Sequence, residues 1–428
     1  MLRKCLLSAG HSLKASFPYS RILGSRGAKG LPSSRAYGSL PIGGYESESV
    51  RPKLFIPGPV EFSPEVLQAA GSGARAHTDT TLIEDFGRSI ELVRKVFLSS
   101  SAQPFILSGS GVLGWDVVAC NLLRRGDRVL QVNSGFFSTR FEDAYKQYGM
   151  EVTSVAPKVV GARPLHEEVE KELKGAKQSS RPYKIISITG VDTSTGVLAD
   201  LKALCELTRS VSPDTLIVVD AVCSAAGEEL RMDEWGIDFV LTGSQKAIGV
   251  PPGLCVMICS QQALERIPDK AAIPNYFANL RSWMPIMESY EKRKPSYFAT
   301  PAVNLVGALR VGLEQLLETP GGMDGYFDAH RRTKDRVHKK LSSAGLQLLT
   351  ESSQVSSNLL SCIRYPQGKA AGDILPPMKE RGWIIAAGLH PACAGEYFRV
   401  GHMGYSVTKR PEWIDKLTDD LVEIACSK

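Results

Sequence analysis

The sequence predicts an α/β protein whose larger domain contains a mostly parallel, doubly wound sheet of seven strands. Seven short runs, each the length of one strand, are strand candidates that alternate with stretches of helical spacing. These runs lie at residues 104–108, 128–132, 151–155, 184–189, 215–219, 238–242 and 254–258. Strands that alternate with helices pair in parallel and place helices on both faces of the sheet. The last two runs are joined by a short, rigid connection that includes Pro251-Pro252-Gly253 and is too short for a helical crossover, so the last strand is predicted to be antiparallel.

Three features are predicted before the sheet. Pro57-Gly58-Pro59 predicts a fixed turn in which the glycine permits a close approach of the backbone. Ser63 followed by Pro64 predicts the start of a helix, because serine caps a helix and proline is favoured at its first position. Residues 82–97 have apolar side chains at helical spacing and are predicted to pack one helix face into the core. Within the sheet region, further helices are predicted at 115–123, 137–148, 166–173 and 201–211.

After the sheet, residues 271–291 contain prolines and aromatic residues without a clear period and are predicted to be irregular. A helix with leucines along one face follows, and Pro320-Gly321-Gly322 ends it. The rest of the chain predicts a basic helix, strands near 358–365, 383–386 and 397–401, and a final helix from about Pro411. We therefore predict a large domain over 38–305, including its N-terminal segment, and a small C-terminal α/β domain over 306–428.

The charge distribution argues against a nucleic-acid-binding protein, although the net charge is +6. Residues 1–45 contain seven basic residues and no acidic one, which leaves 44 basic and 45 acidic residues for the rest of the chain. An acid-free, Arg- and Ser-rich N-terminus is typical of a mitochondrial transit peptide. We predict that residues 1–37 are such a peptide, cleaved after import into the matrix. Ser427-Lys428 does not complete the Ser-Lys-Leu signal for peroxisomes.

Several classes of protein are not indicated by the sequence. No apolar run approaches the roughly 18 residues that a membrane helix needs. The nine cysteines include no Cys-x-x-Cys motif, and the seven histidines form no His-x-His or His-Glu-x-x-His motif. We therefore predict neither a membrane protein nor a metal site.

Lys246 is the first candidate for catalytic chemistry. The predicted strand 238–242 breaks at Thr242-Gly243-Ser244, and Lys246 follows on a turn of small residues. A lysine is strongly hydrated, so one placed after a core strand lies either on an ordinary surface turn or in a pocket that needs an amine.

Two further segments favour the pocket. Asp220 ends the apolar run 215–219, and ligand sites form at the carboxyl ends of strands in such sheets. Residues 109–114 form a Gly/Ser turn between a strand and a helix, which offers backbone N–H groups to a phosphate. An amine, a carboxylate and a phosphate cradle are what pyridoxal 5′-phosphate requires. The same turn fits the dinucleotide pattern G-x-G-x-x-G, but the next strand ends in Asn133 without the acid that would hold a ribose.

These motifs together resemble one family. Residues 243–253 (GSQKAIGVPPG), with VVDAVCS and DTSTGV, are similar to the class V aminotransferases of fold-type I, from about Phe55 to the C-terminus. Among them the motifs are most similar to the enzymes that act on alanine and glyoxylate. The resemblance implies a ping-pong transaminase that converts L-alanine and glyoxylate to pyruvate and glycine, with pyridoxal 5′-phosphate as the cofactor and a homodimer as the assembly.

The resemblance also implies roles for residues at matching positions. Lys246 would bind the cofactor covalently and move the proton, and Asp220 would face the ring nitrogen. The cofactor would also be held by Ser110, Gly111, the backbone of Val112, Phe137, Thr193 and Gln245, and by Tyr297 and Thr300 of the partner subunit. The substrate would be bound by Gly58, Ser224 and Arg399. The chain departs from the family at two positions, with valine at 112 where histidine is frequent and phenylalanine at 137 where animal relatives have tryptophan.

Other functions remain open at this point. Serine could replace alanine as the amino donor, since only an α-carboxylate contact is predicted. A cysteine desulfurase would share the fold, but these enzymes have histidine immediately before the lysine, where this chain has Gln245. Cys393 also lacks the desulfurase motif. A binding protein that has lost catalysis is a further alternative, against which Lys246, Asp220 and Arg399 argue by being present.

Overall fold

The computed structural model describes residues 51–427, so the predicted transit peptide lies outside the described residues. The elements of the first part are β1 Lys53–Leu54, α1 Pro64–Ala70, α2 Thr80–Val96, β2 Gln103–Ser108, α3 Leu113–Leu122, β3 Arg128–Val132, α4 Phe136–Gln147, β4 Glu151–Val155, α5 His166–Gln178, β5 Ile185–Thr189, β6 Val191–Asp192, β7 Val197–Leu198, α6 Leu201–Val211, β8 Leu216–Asp220, β9 Phe239–Gly243 and β10 Leu254–Cys259. The elements of the second part are α7 Gln261–Arg266, a 3₁₀ turn Lys270–Ala272, α8 Leu280–Glu291, α9 Val303–Leu317, α10 Gly322–Ser343, β11 Leu360–Arg364, α11 Ala371–Glu380, β12 Trp383–Ile384, β13 Ala386–Ala387, β14 Tyr397–Gly401, α12 Tyr405–Thr408 and α13 Pro411–Cys426.

The central sheet has seven strands in the order β2-β10-β9-β8-β5-β3-β4. The pairs β9–β8, β8–β5, β5–β3 and β3–β4 are parallel, whereas β10 is antiparallel to both of its neighbours. The predicted fold class, with seven strands and an antiparallel last strand, is confirmed. The connection between β9 and β10, residues 244–253, contains no helix and is shorter than the dozen or more residues that a parallel crossover needs, which explains the antiparallel strand.

The order of strands brings three carboxyl ends together in the middle of the sheet. Asp220 at the end of β8 is in register with Thr189 of β5 and with Leu241 of β9. All side chains of β5, β8 and β9 are buried, as expected for strands covered on both faces. The loops that leave β5, β8 and β9 therefore start from one rigid edge.

Helix α2 supplies much of the cover on one face. Leu82, Phe86, Ile90 and Val93 are all buried, which confirms the predicted apolar stripe. Phe86 stacks on Tyr290 of α8 with ring centroids 4.3 Å apart. Burial of one such aromatic side chain contributes about 1.5–3 kcal/mol to stability.

The prediction that residues 271–291 are irregular was wrong for their second half. Leu280–Glu291 form α8, whose first turn is capped by the Asn279 side chain accepting from Arg281 N at 3.0 Å. Pro285 lies inside the helix and removes one backbone donor. Burial of Trp283 and Tyr290 against the core outweighs that loss, and burial of this kind is not visible in a local pattern.

The C-terminal part builds a second apolar cluster around a three-stranded antiparallel sheet, β11-β14-β13. The first described strand belongs to this cluster, because β1 pairs in parallel with β12. Phe55 packs edge-on against Trp383 with ring centroids 5.5 Å apart. The chain thus runs from the C-terminal cluster at residue 55 towards the central sheet. The division into domains at residues 305 and 306 stays a prediction.

Two searches of the described residues gave negative results. No helix within residues 51–427 combines the length and hydrophobicity needed to cross a membrane. Within the same range, no group of three or more His, Cys, Asp or Glu side chains is arranged to hold a metal ion.

Candidate active site

Lys246 lies in the turn that follows β9, at the edge where the parallel strands end. Its Nζ donates a hydrogen bond to the carbonyl oxygen of Pro57. Burial lowers the pKa of Lys246, and the positive charge of Arg399 lowers it further, while Cys223 and Asp220 act in the opposite direction. A lowered pKa favours the neutral amine, which is the nucleophilic and proton-accepting form.

Gly58 approaches the Lys246 side chain directly. A Cβ atom at this position would lie 2.8 Å from Nζ and 2.9 Å from Cε of the lysine. The φ angle of Gly58 is +95°, a conformation that L-residues rarely adopt. The Pro57-Gly58-Pro59 turn therefore forms one wall around the amine, and only glycine fits there.

The turn that carries Lys246 is fixed by several bonds. Gly249 N donates to Lys246 O at 2.8 Å, and Val250 N donates to Ser244 O at 3.0 Å. From α10, the hydroxyl of Tyr326 donates to Ala247 O at 2.8 Å. These contacts hold the amine on a rigid support rather than on a flexible loop.

Asp220 is 3% exposed at the end of β8. Its Oδ2 accepts from Trp115 Nε1 at 2.8 Å, and its Oδ1 accepts from Val222 N at 2.9 Å. Burial raises the pKa of Asp220 to about 6, against the effect of these bonds and of Lys246. A cation next to this buried carboxylate would stabilise its ionised form. At a separation of 4 Å and an effective dielectric constant of 20, the attraction between the two charges would be worth about 4 kcal/mol.

The loop between β2 and α3 offers free backbone donors. Within residues 51–427, the N–H groups of Ser110, Gly111 and Val112 have no hydrogen-bond acceptor. A Cβ on Gly111 would lie 2.5 Å from Val222 Cγ2, so this part of the loop is packed closely on the Asp220 turn. Unpaired N–H groups at the start of a helix of ten residues form a site for an anion.

Gln245 lies beside this loop. A Cβ built on Gly243 would be 2.6 Å from Gln245 Oε1 and 3.4 Å from Gly111 N. The side chain of Gln245 and the loop amide therefore approach the same point. The Val112 side chain is 49% exposed and adds no polar group to the cradle.

Phe137 and Thr193 are brought together by Asp192, which the sequence analysis did not single out. The buried Asp192 carboxylate accepts from Phe137 N at 2.9 Å and Ser138 N at 3.0 Å, so it caps α4. Its other oxygen accepts from Ser194 N at 3.0 Å. Asp192 thereby fixes the start of α4 against the loop that carries Thr193. An aspartate at a strand end, ahead of three hydroxyl residues, was the available signal.

Arg399 lies on β14 and makes no ion pair with any residue in the described part of the chain. Its Nε donates to Ala387 O at 2.8 Å, and Nη1 donates to Thr193 O at 3.0 Å. Burial lowers the pKa of Arg399, since a desolvated cation is disfavoured without an anion. A guanidinium held by two carbonyls in this way retains N–H groups for a carboxylate.

Two buried hydroxyls lack partners next to these groups. Ser224 Oγ and Thr189 Oγ1 have no hydrogen-bond partner among the described residues. Ser224 is fully buried, and its Oγ lies against Gly190, where a side chain would collide with it. An unpaired buried hydroxyl is costly, so these positions indicate a polar ligand.

Tyr297 and Thr300 stand apart from the other predicted residues. Tyr297 is 58% exposed, and its hydroxyl lies 3.1 Å from Thr300 Oγ1. The ring of His77 packs on Tyr297 with centroids 4.9 Å apart. Apart from this contact with each other, neither Tyr297 nor Thr300 forms a hydrogen bond or ring contact with a predicted site residue within the described range. Their assignment to a partner's site stays a prediction.

The side chains fit pyridoxal 5′-phosphate. The loop at 110–112 has unpaired N–H groups for a phosphate, and Asp220 is a buried carboxylate suited to a cationic ring nitrogen. Lys246 has an amine with a lowered pKa for the aldehyde, and Ser224 has an unpaired hydroxyl nearby. Sequence reasoning missed the Pro57 carbonyl and Trp115, because both contribute through contacts between distant segments.

The chain is similar to known proteins over most of its length. The family profile "Aminotransferase class-V" matches residues 65–407. "Alanine--glyoxylate aminotransferase 1" of Saccharomyces cerevisiae is 39% identical over 387 residues, covering 88% of this chain and 98% of the yeast protein. "L-aspartate--glyoxylate aminotransferase" of Paracoccus denitrificans is 30% identical over 354 residues, covering 82% of this chain and 86% of that protein.

Solved structures give the same result. A structure titled as an alanine–glyoxylate aminotransferase from Nostoc sp. superimposes with a TM-score of 0.78 at 25% identity, covering 89% of this chain and 97% of that one. A ureidoglycine–glyoxylate aminotransferase from Bacillus subtilis superimposes with a TM-score of 0.77 at 25% identity, covering 87% and 92%.

Proposed function

Because this chain belongs to the class V aminotransferase family, whose members depend on pyridoxal 5′-phosphate, we propose that it transfers the amino group of L-alanine to glyoxylate. The products are pyruvate and glycine. The yeast relative with 39% identity carries this activity in its name, and it is matched over 98% of its length. The proposal depends mainly on one observation about Arg399. This arginine has no ion pair within residues 51–427, and its positive charge acts on Lys246.

The residues divide the work as follows. Pyridoxal 5′-phosphate, when bound, supplies an electron sink for the charge that develops at the substrate Cα. Arg399 and Ser224 bind the α-carboxylate of the amino acid and orient its Cα–H bond towards Lys246. The neutral Lys246 amine takes the proton from Cα in one half-reaction and returns a proton to the glyoxylate-derived carbon in the other. Asp220 keeps the ring nitrogen protonated, and the loop 110–112 holds the phosphate.

A ping-pong order follows from the use of one carboxylate site by both substrates. Pyruvate has to leave before glyoxylate enters, because Arg399 binds the carboxylate of each in turn. Steady-state rates at several fixed glyoxylate concentrations are expected to give parallel double-reciprocal lines. Intersecting lines would contradict a shared site.

The donor is tested by adding amino acids one at a time to the holoenzyme. Alanine alone is expected to bleach the visible absorbance of the bound cofactor, and glyoxylate is expected to restore it. A larger kcat/KM for serine or aspartate than for alanine would reassign the donor, as the names of the Arabidopsis thaliana and Paracoccus denitrificans relatives allow. Absence of any response to amino acids would overturn the transaminase reaction.

A cysteine desulfurase is not favoured. Gln245 stands before Lys246 where desulfurases have histidine, and the pKa of the Cys393 thiol is raised chiefly by burial. The solved desulfurase that shares this architecture is only 13% identical and is evidence for the fold alone.

We also propose a cellular location and an oligomeric state for this protein. Residues 1–37 direct the protein to the mitochondrial matrix, which the acid-free, Arg-rich composition supports. The enzyme is a homodimer in which Tyr297 and Thr300 reach the partner's cofactor site, and the exposure of Tyr297 supports this. The cellular location of a reporter protein fused after residue 37 tests the targeting role of residues 1–37. Sedimentation of the holoenzyme measures its oligomeric state. A cytosolic reporter or a monomeric active enzyme would contradict these proposals.

A further inference from the structure

Glu228 is a buried carboxylate close in sequence to the Asp220 turn. It is 1% exposed, and its backbone N–H donates to Ser224 O at 2.9 Å, which ties it to that turn. It makes no salt bridge among the described residues, and Lys334 is the cation that acts on it from α10. Burial of a carboxyl group costs free energy, so Glu228 needs strong hydrogen bonds to offset that cost.

Within residues 51–427, the side-chain hydrogen bonds of Glu228 all go to one dipeptide, Ser357-Asn358. Ser357 Oγ donates to Oε1 at 2.7 Å, and Asn358 N donates to the same oxygen at 2.6 Å. Asn358 Nδ2 donates to Oε2 at 2.5 Å. One carboxylate thus fixes both the backbone and the side chain of the segment that leads into β11.

That segment supports the strand of Arg399. In the β11–β14 ladder, Cys362 is opposite Arg399. Beyond the ladder, His402 N donates to Leu359 O at 2.8 Å, and His402 Nδ1 donates to Asn358 O at 3.1 Å. The position of Asn358 therefore determines where the end of β14 lies.

The end of β14 also contacts the segment that leads into the Pro57-Gly58-Pro59 turn beside Lys246. Gly401 N donates to Phe55 O at 2.6 Å, and Gly401 has no room for a side chain because its backbone lies against Ile56. The next residue, Pro57, accepts the hydrogen bond from Lys246 Nζ. A continuous set of contacts thus runs from Glu228 through β14 to the amine.

We propose that Glu228 is a positioning residue, whose bonds to Ser357 and Asn358 hold the guanidinium of Arg399 in register with the Lys246 amine. The inference rests on the proposed role of Arg399 as the carboxylate-binding group. Glu228 does not touch the substrate. It fixes the separation between the large-sheet side of the site, which carries Asp220, and the β11–β14 side, which carries Arg399.

The test is Glu228→Gln in the holoenzyme, with Glu229→Gln as the matched control. A glutamine can keep one oxygen for Ser357 Oγ and Asn358 N, but it places an NH₂ group against Asn358 Nδ2, so the Asn358 side chain loses its acceptor and the segment is held less firmly. Glu229 is the next residue, is exposed and pairs only with Arg231 among the described residues. The two variants therefore make the same Glu→Gln change at adjacent positions, one buried and one exposed.

Three measurements distinguish a change in the position of Arg399 from a general loss of folding or activity. Glu228→Gln is expected to lower kcat/KM for alanine at least tenfold, chiefly through KM. The slow reaction with ethylamine, which has no carboxylate, is expected to stay within twofold of the wild type. Amide hydrogen exchange is expected to rise at least tenfold in residues 357–364. Glu229→Gln is expected to match the wild type in all three.

Equal losses with alanine and ethylamine, or unchanged exchange in residues 357–364, would overturn the proposal. A wild-type enzyme that does not react with alanine and glyoxylate would overturn the proposed function, while hydrogen exchange would still decide the role of the Glu228 bonds. If Glu228→Gln does not fold, Asn358→Ala provides the second variant, because it removes one donor and keeps the backbone bond. It is expected to raise KM for alanine severalfold, and an unchanged KM would count against the proposal.

Discussion

At the scale of single residues, Gly58 shows how closely the backbone approaches the reactive amine. Gly58→Ala is expected to reduce kcat at least 100-fold, because the new Cβ would lie 2.8 Å from Lys246 Nζ and the positive φ would be strained. The lysine has to move, so the affinity for cofactor should fall as well. Steady-state kinetics and cofactor titration measure both effects.

Gly73→Ala is the matched control for this substitution. A Cβ at Gly73 has no neighbour within 4 Å, so activity and cofactor affinity should be unchanged. Full activity in Gly58→Ala would show that the lysine has room to adjust, and that the close approach has no catalytic meaning.

A second residue-scale prediction concerns pH and Glu228. Burial raises its pKa from 4.5 to about 7, in spite of the donors on Ser357 and Asn358 and the charge of Lys334. Between these two pH values the folded protein holds a proton that the unfolded chain has lost, so stability falls as pH rises through this window. The pKa shift from 4.5 to about 7 corresponds to about 3 kcal/mol at most.

Urea denaturation at several pH values between 4.5 and 7.5 measures this slope. The wild type should lose stability with rising pH more steeply than Glu228→Gln, whose amide does not titrate. Parallel curves for the two proteins would mean that Glu228 has an ordinary pKa in the folded state.

The sequence was informative for some of these residues and silent for others. Lys246 and Asp220 could be selected because each directly follows an apolar strand, and resemblance then supplied their roles. Glu228 and Pro57 could not be selected, since their importance arises from contacts with residues more than 100 positions away. No local pattern records such contacts.

At the scale of secondary structure elements, Asp192 joins two parts of the site by capping α4. Asp192→Ala is expected to lower the free energy of unfolding by about 2–3 kcal/mol, because three backbone donors lose a buried acceptor. Phe137 and Thr193 should also lose their fixed separation, which weakens cofactor binding. Urea denaturation and cofactor titration test these two effects.

Asp200→Ala provides the comparison for an ordinary helix cap. The Asp200 side chain caps α6 by accepting one hydrogen bond from Ala203 N at 3.3 Å. Its loss should lower the free energy of unfolding by about 1 kcal/mol and leave the affinity for cofactor unchanged. If Asp192→Ala is no more destabilising than Asp200→Ala, Asp192 acts as a simple cap and does not organise the site.

The elements themselves differ in how far they could be predicted. The interior strands β5, β8 and β9 consist mainly of apolar residues, and burial on both faces requires that composition, so the sequence pattern was sufficient for them. The edge strand β4 is mixed in composition and partly exposed. Helix α8 was missed because Pro285 suggested a break and its aromatic residues showed no clear period. Its stability comes from packing on α2 and the core.

At the scale of the whole molecule, residues 53–58 connect the two apolar clusters. A protein that begins at Arg51 is expected to fold and retain activity, whereas one that begins at Glu61 should lose at least 99% of it. The shorter protein lacks Phe55, which fills the C-terminal cluster, and Pro57, which binds the lysine. Circular dichroism and the transaminase assay test both proteins, and an active protein that begins at Glu61 would contradict this view.

The pairing of β1 with β12 also affects how the enzyme is completed during its synthesis. The ribosome makes the chain from its N-terminus, so Lys53 and Leu54 emerge more than 300 residues before their partners Trp383 and Ile384. Until those partners emerge, the turn that contacts the Lys246 amine has no strand to anchor it. Nascent chains that already contain Lys246, Asp220 and the loop 110–112 are therefore expected to be inactive until the C-terminal cluster forms around Lys53–Leu54 and Phe55.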